Sequence, residues 1–192
     1  MINRRRFLTT AAASAALAPV ASFAQEATQT SEVPEYLLPR IVRISEEFTP
    51  GEIHVLPSEF SLYWTMPDQK AIRYAVGIGR PGLYEAGEFY VGAKKEWPSW
   101  RPTDDMIRRQ PEQYEQFADG MPGGVNNPLG ARALYLFAPG RGDTFLRIHG
   151  TNRPSTIGTA VSNGCARLVN SHMVHLYNQV PLQTRVVLYS AA

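Results

Sequence analysis

The 192-residue sequence holds one cysteine, Cys165, so no disulfide can form within the chain even in an oxidising compartment. Long apolar runs are missing as well. The one modestly apolar stretch, residues 7–20, is rich in Ala and Thr and falls short of the ~20 apolar residues that span a bilayer, so no stable membrane insertion is expected of the mature chain. Basic clusters are absent beyond Arg4, Arg5 and Arg6. Losing those three turns the formal net charge from +2 to −1 and leaves no Lys/Arg stripe to follow a phosphate backbone, which excludes a nucleic-acid partner. Metal-ligand sets are equally sparse. His172 and His175 stand three apart on one candidate helix, but neither a cysteine nor an acidic residue accompanies them, and neither a metal nor a cofactor is expected.

What remains is ordinary globular material, 44% hydrophobic, enough for one core. Short alternating segments at 52–56, 60–65, 71–77, 89–93, 133–137, 144–149 and 184–189 read as strands, bounded by Gly/Pro turns. His54, between Ile53 and Val55, is expected to face solvent on that alternation. One helix is expected over 171–180, capped by Asn170, with Met173, Leu176, Tyr177 and Val180 on one face. Residues 94–127 lose the alternation, gain prolines and tryptophans, and read as a long loop with a short helix near 104–110. Such a loop is either a substrate wall or an excursion packed by its own tryptophans. The fold class is mostly β, with one or two short helices.

Chemistry concentrates late in the chain, where His149, at a strand end, precedes Cys165 by 16 residues. A free thiol, with a pKa of ~8.5, is mostly protonated at neutral pH, so an acyl-transfer enzyme needs an adjacent base; the pairing predicts a thiol whose pKa is lowered by the histidine. The alternative is an inert buried thiol. Gly164 lets the backbone approach a substrate, and the N–H groups beside it could face an oxyanion. A third group must fix the tautomer of His149. A carbonyl of the Gly150-Thr151 turn is the favoured partner, and Asp143 is the side-chain alternative. Arg167 either binds a substrate carboxylate or braces the loop, with bracing favoured. Trp97 and Trp100 are candidate substrate contacts or packing residues.

The run His149-Gly150-Thr151, then Ile157-Gly158, then Ser162-Asn163-Gly164-Cys165-Ala166-Arg167-Leu168, preceded by residues 123–134, resembles an L,D-transpeptidase catalytic domain over residues 50–192. The resemblance implies a β-sandwich-like fold with Cys165 as nucleophile, His149 as base, and Ser162, Gly164 and Gly150 in the site wall. It also implies a thioester to the third residue of a peptidoglycan stem peptide, release of the terminal D-alanine, and transfer to an amine on another stem or a lipoprotein lysine. Hydrolysis by water on the same scaffold and a catalytically silent wall-binding module are the competing readings. Ala166 stands where Ile is more usual, and residues 82–87 lack the common Thr-Pro-Thr-Gly wording.

The first 24 residues read as a signal peptide: a head of three arginines, the Ala-rich stretch, Pro19, and small residues at Ser22 and Ala24 before Gln25. Asn3-Arg4-Arg5-Arg6-Phe7-Leu8 resembles a twin-arginine signal, with general secretion as the alternative, and places the mature protein in the periplasm. Residues 25–49 form a polar arm. Changing Arg4 and Arg5 together to Lys is expected to strand the precursor in the cytoplasm; immunoblots of fractionated cells showing normal export would mean the general route.

Overall fold

The structure, a computed structural model, describes residues 34–45 and 48–190. The signal segment and the first residues of the arm lie outside the described residues. Among these, eleven strands form: β1 (Arg40–Arg43), β2 (Ile53–Leu56), β3 (Ser61–Met66), β4 (Lys70–Ala75), β5 (Ile78–Gly79), β6 (Gly87–Glu96), β7 (Arg132–Ala138), β8 (Gly142–His149), β9 (Ala160–Ser162), β10 (Ala166–Arg167) and β11 (Arg185–Leu188). Nine join one sheet in the order β1-β4-β3-β2-β11-β6-β7-β8-β10, while β5 and β9 pair separately. Among the described residues there are also three α-helices, α1 (Asp104–Arg109), α2 (Pro111–Tyr114) and α3 (Asn170–Gln179), besides short 3-10 turns.

The sheet is long enough to bring its two halves onto a shared core. Trp64 and Tyr74 from β3 and β4 are buried in one cluster with Leu134 and Ile148 from β7 and β8 and with Met173 and Leu176 of α3. Each fully buried side chain of this kind contributes roughly 1.5–3 kcal/mol. Tyr74 Oη lies 2.7 Å from His175 Nδ1, which ties β4 to α3. The fold is therefore mostly β with few short helices, as the alternation predicts.

Four local expectations change. First, His54 is buried rather than solvent-facing, because β2 lies inside the sheet between β3 and β11 and both of its faces are covered. Its ring is satisfied by Glu52 Oε2 and Tyr189 Oη, each at 3.1 Å. Second, the arm is not purely a polar linker, since its residues 40–43 form β1, an edge strand on β4. Third, β6 runs to Glu96, so the loop begins at Trp97, and it carries both α1 and α2.

The fourth change concerns Asn170. It is the first helical residue of α3 and not its cap, which is Val169. Its side-chain oxygen instead accepts the N–H groups of Ala131 at 3.0 Å and Thr151 at 3.1 Å. Those two donors flank the end of β8, so α3 holds the chain just after His149. Replacing Asn170 by Ala leaves two largely enclosed N–H groups without an acceptor, and thermal melts are expected to show a loss of roughly 1–3 kcal/mol. Asn170→Asp, which keeps the oxygens, should lose less.

Candidate active site

The last two strands of the sheet place the candidate nucleophile. β10 pairs with β8 in parallel, setting Ala166 opposite Ile148 and Arg167 opposite His149. Ile148 and Ala166 face the core. The alternate residues Arg147, His149 and Arg167 therefore face the other way, into a cleft of about 1010 Å³ that Cys165 also lines.

β8 does not run straight to that point. Its register against β7 shifts between Tyr135 and Phe137, and Phe145 takes a left-handed conformation with φ 62°. The bulge is held from inside by Thr144 Oγ1, which donates to the Leu136 carbonyl at 2.7 Å and accepts the Leu146 N–H at 3.2 Å. Asp143 holds it from outside, accepting the Phe145 N–H at 2.9 Å and a two-pronged contact from Arg147 at 2.6 and 2.8 Å. Asp143 is thus committed to Arg147, whose guanidinium also stacks 4.0 Å from the Tyr135 ring centre. The bulge turns the Phe145 carbonyl to within 4.0 Å of Cys165 Sγ, and the Arg147 N–H donates to the same sulfur.

His149 is buried, and its Nδ1 lies 2.6 Å from the Gly150 carbonyl. A carbonyl only accepts, so Nδ1 carries the proton and Nε2 is left with a free lone pair. Burial, opposed by the Gly150 and Leu129 carbonyls and reinforced by Arg167 and Arg147, pushes the His149 pKa down to about 4. Burial likewise pushes the Cys165 thiol up, against the Arg147 N–H and the charges of Arg147 and Arg167. The direction differs from the lowered thiol pKa expected from the pairing. Cys165 is only partly enclosed, yet both shifts disfavour the charged forms and favour a neutral thiol and a neutral imidazole at rest.

The other candidates divide. Ser162 lines the cleft and donates to the Cys165 carbonyl at 2.7 Å, which fixes the turn of the nucleophile loop. Gly164 has φ 119°, and a Cβ there would stand 2.8 Å from the Leu83 carbonyl, so only glycine lets the 82–87 wall close onto the nucleophile loop. Gly150 lies outside the cleft; it contributes its carbonyl to His149 and packs against Asn170 Oδ1 with no room for a side chain. Arg167 is buried and braces the loop, giving Nη1 to Thr156 Oγ1 at 2.8 Å and Nη2 to the Thr156 carbonyl at 3.3 Å, while its backbone bridges Gly77. Trp100 lines the cleft and stacks on Tyr114 and Phe117. Trp97 does not reach it; 46% exposed, it hangs its N–H on the Ala131 carbonyl. His172 and His175 join no group able to hold a metal among the described residues.

With this geometry in view, comparison with known proteins is decisive. The L,D-transpeptidase catalytic domain family (YkuD) matches residues 50–188. The chain belongs to that family. It is 36% identical over 132 residues to "Probable L,D-transpeptidase ErfK/SrfK" of Escherichia coli K12, a match covering 67% of this chain and 41% of that protein. The chain spans about half the length of the curated relatives it matches. A crystal structure from Brucella melitensis, described as a probable carnitine operon oxidoreductase, shares 43% identity and a TM-score of 0.56 over 83% of this chain and 97% of its own. The catalytic domain of the E. faecium L,D-transpeptidase acylated by ertapenem has a TM-score of 0.52 at 22% identity, covering 74% of this chain and 98% of that one, a likeness of fold.

Two measurements check the neutral pair of this L,D-transpeptidase domain. Alkylation of Cys165 by iodoacetamide is expected to have its pH midpoint above the ~8.5 of a free thiol, nearly unmoved in His149→Ala. A midpoint well below that value, returning upward without the histidine, would reveal a thiolate–imidazolium pair instead. Between pH 6.5 and about 4 the unfolded chain binds a proton at His149 that the folded chain refuses, so stability falls as pH drops through that window. His149→Gln should flatten the melting temperature there, leaving only the smaller slope from His54 and His172, which burial also lowers.

Proposed function

We propose that the domain is a peptidoglycan L,D-transpeptidase that passes a stem-peptide acyl group through a Cys165 thioester to an amine acceptor. The observation that carries this reading is His149, its Nδ1 held by the Gly150 carbonyl, in the same cleft as the lone thiol. Because both groups rest neutral, proton transfer accompanies attack rather than preceding it. His149 Nε2 takes the thiol proton as Sγ adds to the scissile carbonyl carbon, and the oxyanion is met by backbone N–H groups at Gly164 and Cys165. Collapse breaks the C–N bond. The departing D-alanine amine leaves with the proton from Nε2, and the acyl group remains on sulfur. An acceptor amine then gives its proton to Nε2, attacks the thioester, and the thiol is restored. A stem amine or a lipoprotein lysine would serve as acceptor; water in its place gives a carboxypeptidase.

The Ala-rich leader supports a periplasmic site of action, and no helix among the described residues is long and apolar enough to cross a membrane. Ertapenem, which acylates the E. faecium fold relative, serves as the probe. It is expected to add one equivalent of mass at Cys165, lost in Cys165→Ala, and His149→Ala should slow acylation by roughly 10²- to 10⁴-fold. Mass spectrometry of muropeptides incubated with the mature protein should show new cross-links. An unmodified protein with unchanged muropeptides would make Cys165 an inert thiol.

A further inference from the structure

Six arginines line the cleft. Arg101 pairs with Asp104 and Arg147 with Asp143, while the Arg167 guanidinium is taken by Thr156. Arg80 and Arg109 stand out because they share one acceptor. Among the described residues neither stands in an ion pair, although both line the cleft. Arg80, from the segment after β5, gives Nη2 to Asn163 Oδ1 at 3.2 Å and to Gln110 Oε1 at 3.3 Å. Arg109, the last residue of α1, gives Nη2 to the same Asn163 Oδ1 at 3.3 Å. Two cations from segments distant in sequence thus converge on one neutral amide oxygen, at distances longer than the 2.7–2.9 Å of a charge-assisted bond. Arg80 also keeps a buried Nε with no partner.

A helix-end role does not account for Arg109. Arg108 already places a cation in the last turn of α1, and Arg109 points past it to Asn163. Nor does folding explain half-burying Arg80 against amide oxygens with its Nε left unpartnered. Asn163 lies two residues before Cys165, so an anion received here sits within ~10 Å of the nucleophile. That is the reach of one or two residues of a bound peptide.

We propose that Arg80 and Arg109 form a carboxylate subsite, with Asn163 Oδ1 occupying it at rest, and that the donor stem is recognised there by a free carboxylate. This rests on the stem-peptide reading above. The planar forks of two arginines suit a carboxylate and discriminate against the carboxamide that amidation produces, because an amide brings no charge and turns two donors toward the guanidiniums. The carboxylate comes either from the C-terminus of the leaving D-alanine or from a side carboxyl of the stem.

The test uses the full mature chain with Cys165→Ala, so that binding is read without turnover. Three tetrapeptide stems are titrated by calorimetry: one with all carboxylates free, one with the side carboxyls amidated, and one with the C-terminal carboxyl amidated. Amidation of the recognised group is expected to weaken binding on the order of 10- to 100-fold, and the stem that loses identifies the source. Adding R80Q and R109Q should bring the free stem down to the level of that amidated stem while moving the latter little. Asn163→Asp, which fills the subsite with the protein's own carboxylate, should do the same with both arginines retained. Equal binding of all three stems, or an unchanged ranking in R80Q/R109Q, overturns the subsite. Turnover of stems by the wild type without discrimination overturns the subsite and leaves the transpeptidase reading standing; discrimination without turnover does the reverse. No binding of any stem overturns both.

Discussion

The site depends on a ladder of two residue pairs. β10 contributes only Ala166 and Arg167 to the sheet, yet their parallel register against Ile148 and His149 puts Cys165 on the side of the sheet that carries His149. A strand this short cannot hold itself. It is clamped by the Gly77–Arg167 bridge, by the Arg167 guanidinium on Thr156, by Ser162 on the Cys165 carbonyl, and by Asn170 behind His149. Each clamp belongs to a different segment. A slip of one residue in β10 would turn Cys165 to the core and Ala166 to the cleft, so the clamps specify chemistry as well as stability.

The same enclosure sets the electrostatics. The core side of β8 and β10 is sealed by Leu146, Ile148 and Leu168, and water reaches the pair only from the cleft. Neither His149 nor Cys165 has a carboxylate partner, since Asp143 is occupied by Arg147. Arg147 and Arg167 act on both groups in the same sense, resisting a charged imidazole while easing a thiolate, but burial outweighs them at sulfur. The arrangement holds the thiol toward its protonated form.

Most of this fold was legible in the sequence, because alternation and Gly/Pro punctuation report directly on strands. Every longer strand lies within a few residues of its expected position, and α3 falls where its apolar face predicts. What was not legible depends on neighbours that alternation does not specify. His54 looked exposed because period-2 reading assumes one wet face, and only the pairing of β2 with both β3 and β11 covers the second. Asn170 looked like a cap because the residue type before a helix is a local signal, whereas the donors its side-chain oxygen accepts from, the N–H groups of Ala131 and Thr151, come from distant loops. The lowered thiol pKa was inferred from two residues, whereas desolvation around the sulfur pushes it the other way. The convergence of Arg80 and Arg109 on Asn163 joins segments 83 and 54 residues apart, a distance no motif spans.

The raised pKa of the lone sulfur bears on its survival. Peroxides and disulfides attack thiolates and leave protonated thiols largely alone, so oxidation to the sulfenic and sulfinic states tracks the fraction ionised. A thiol held toward its protonated form is shielded from that chemistry. With no second cysteine to form a rescuing disulfide, that reserve is the chain's own protection against oxidants.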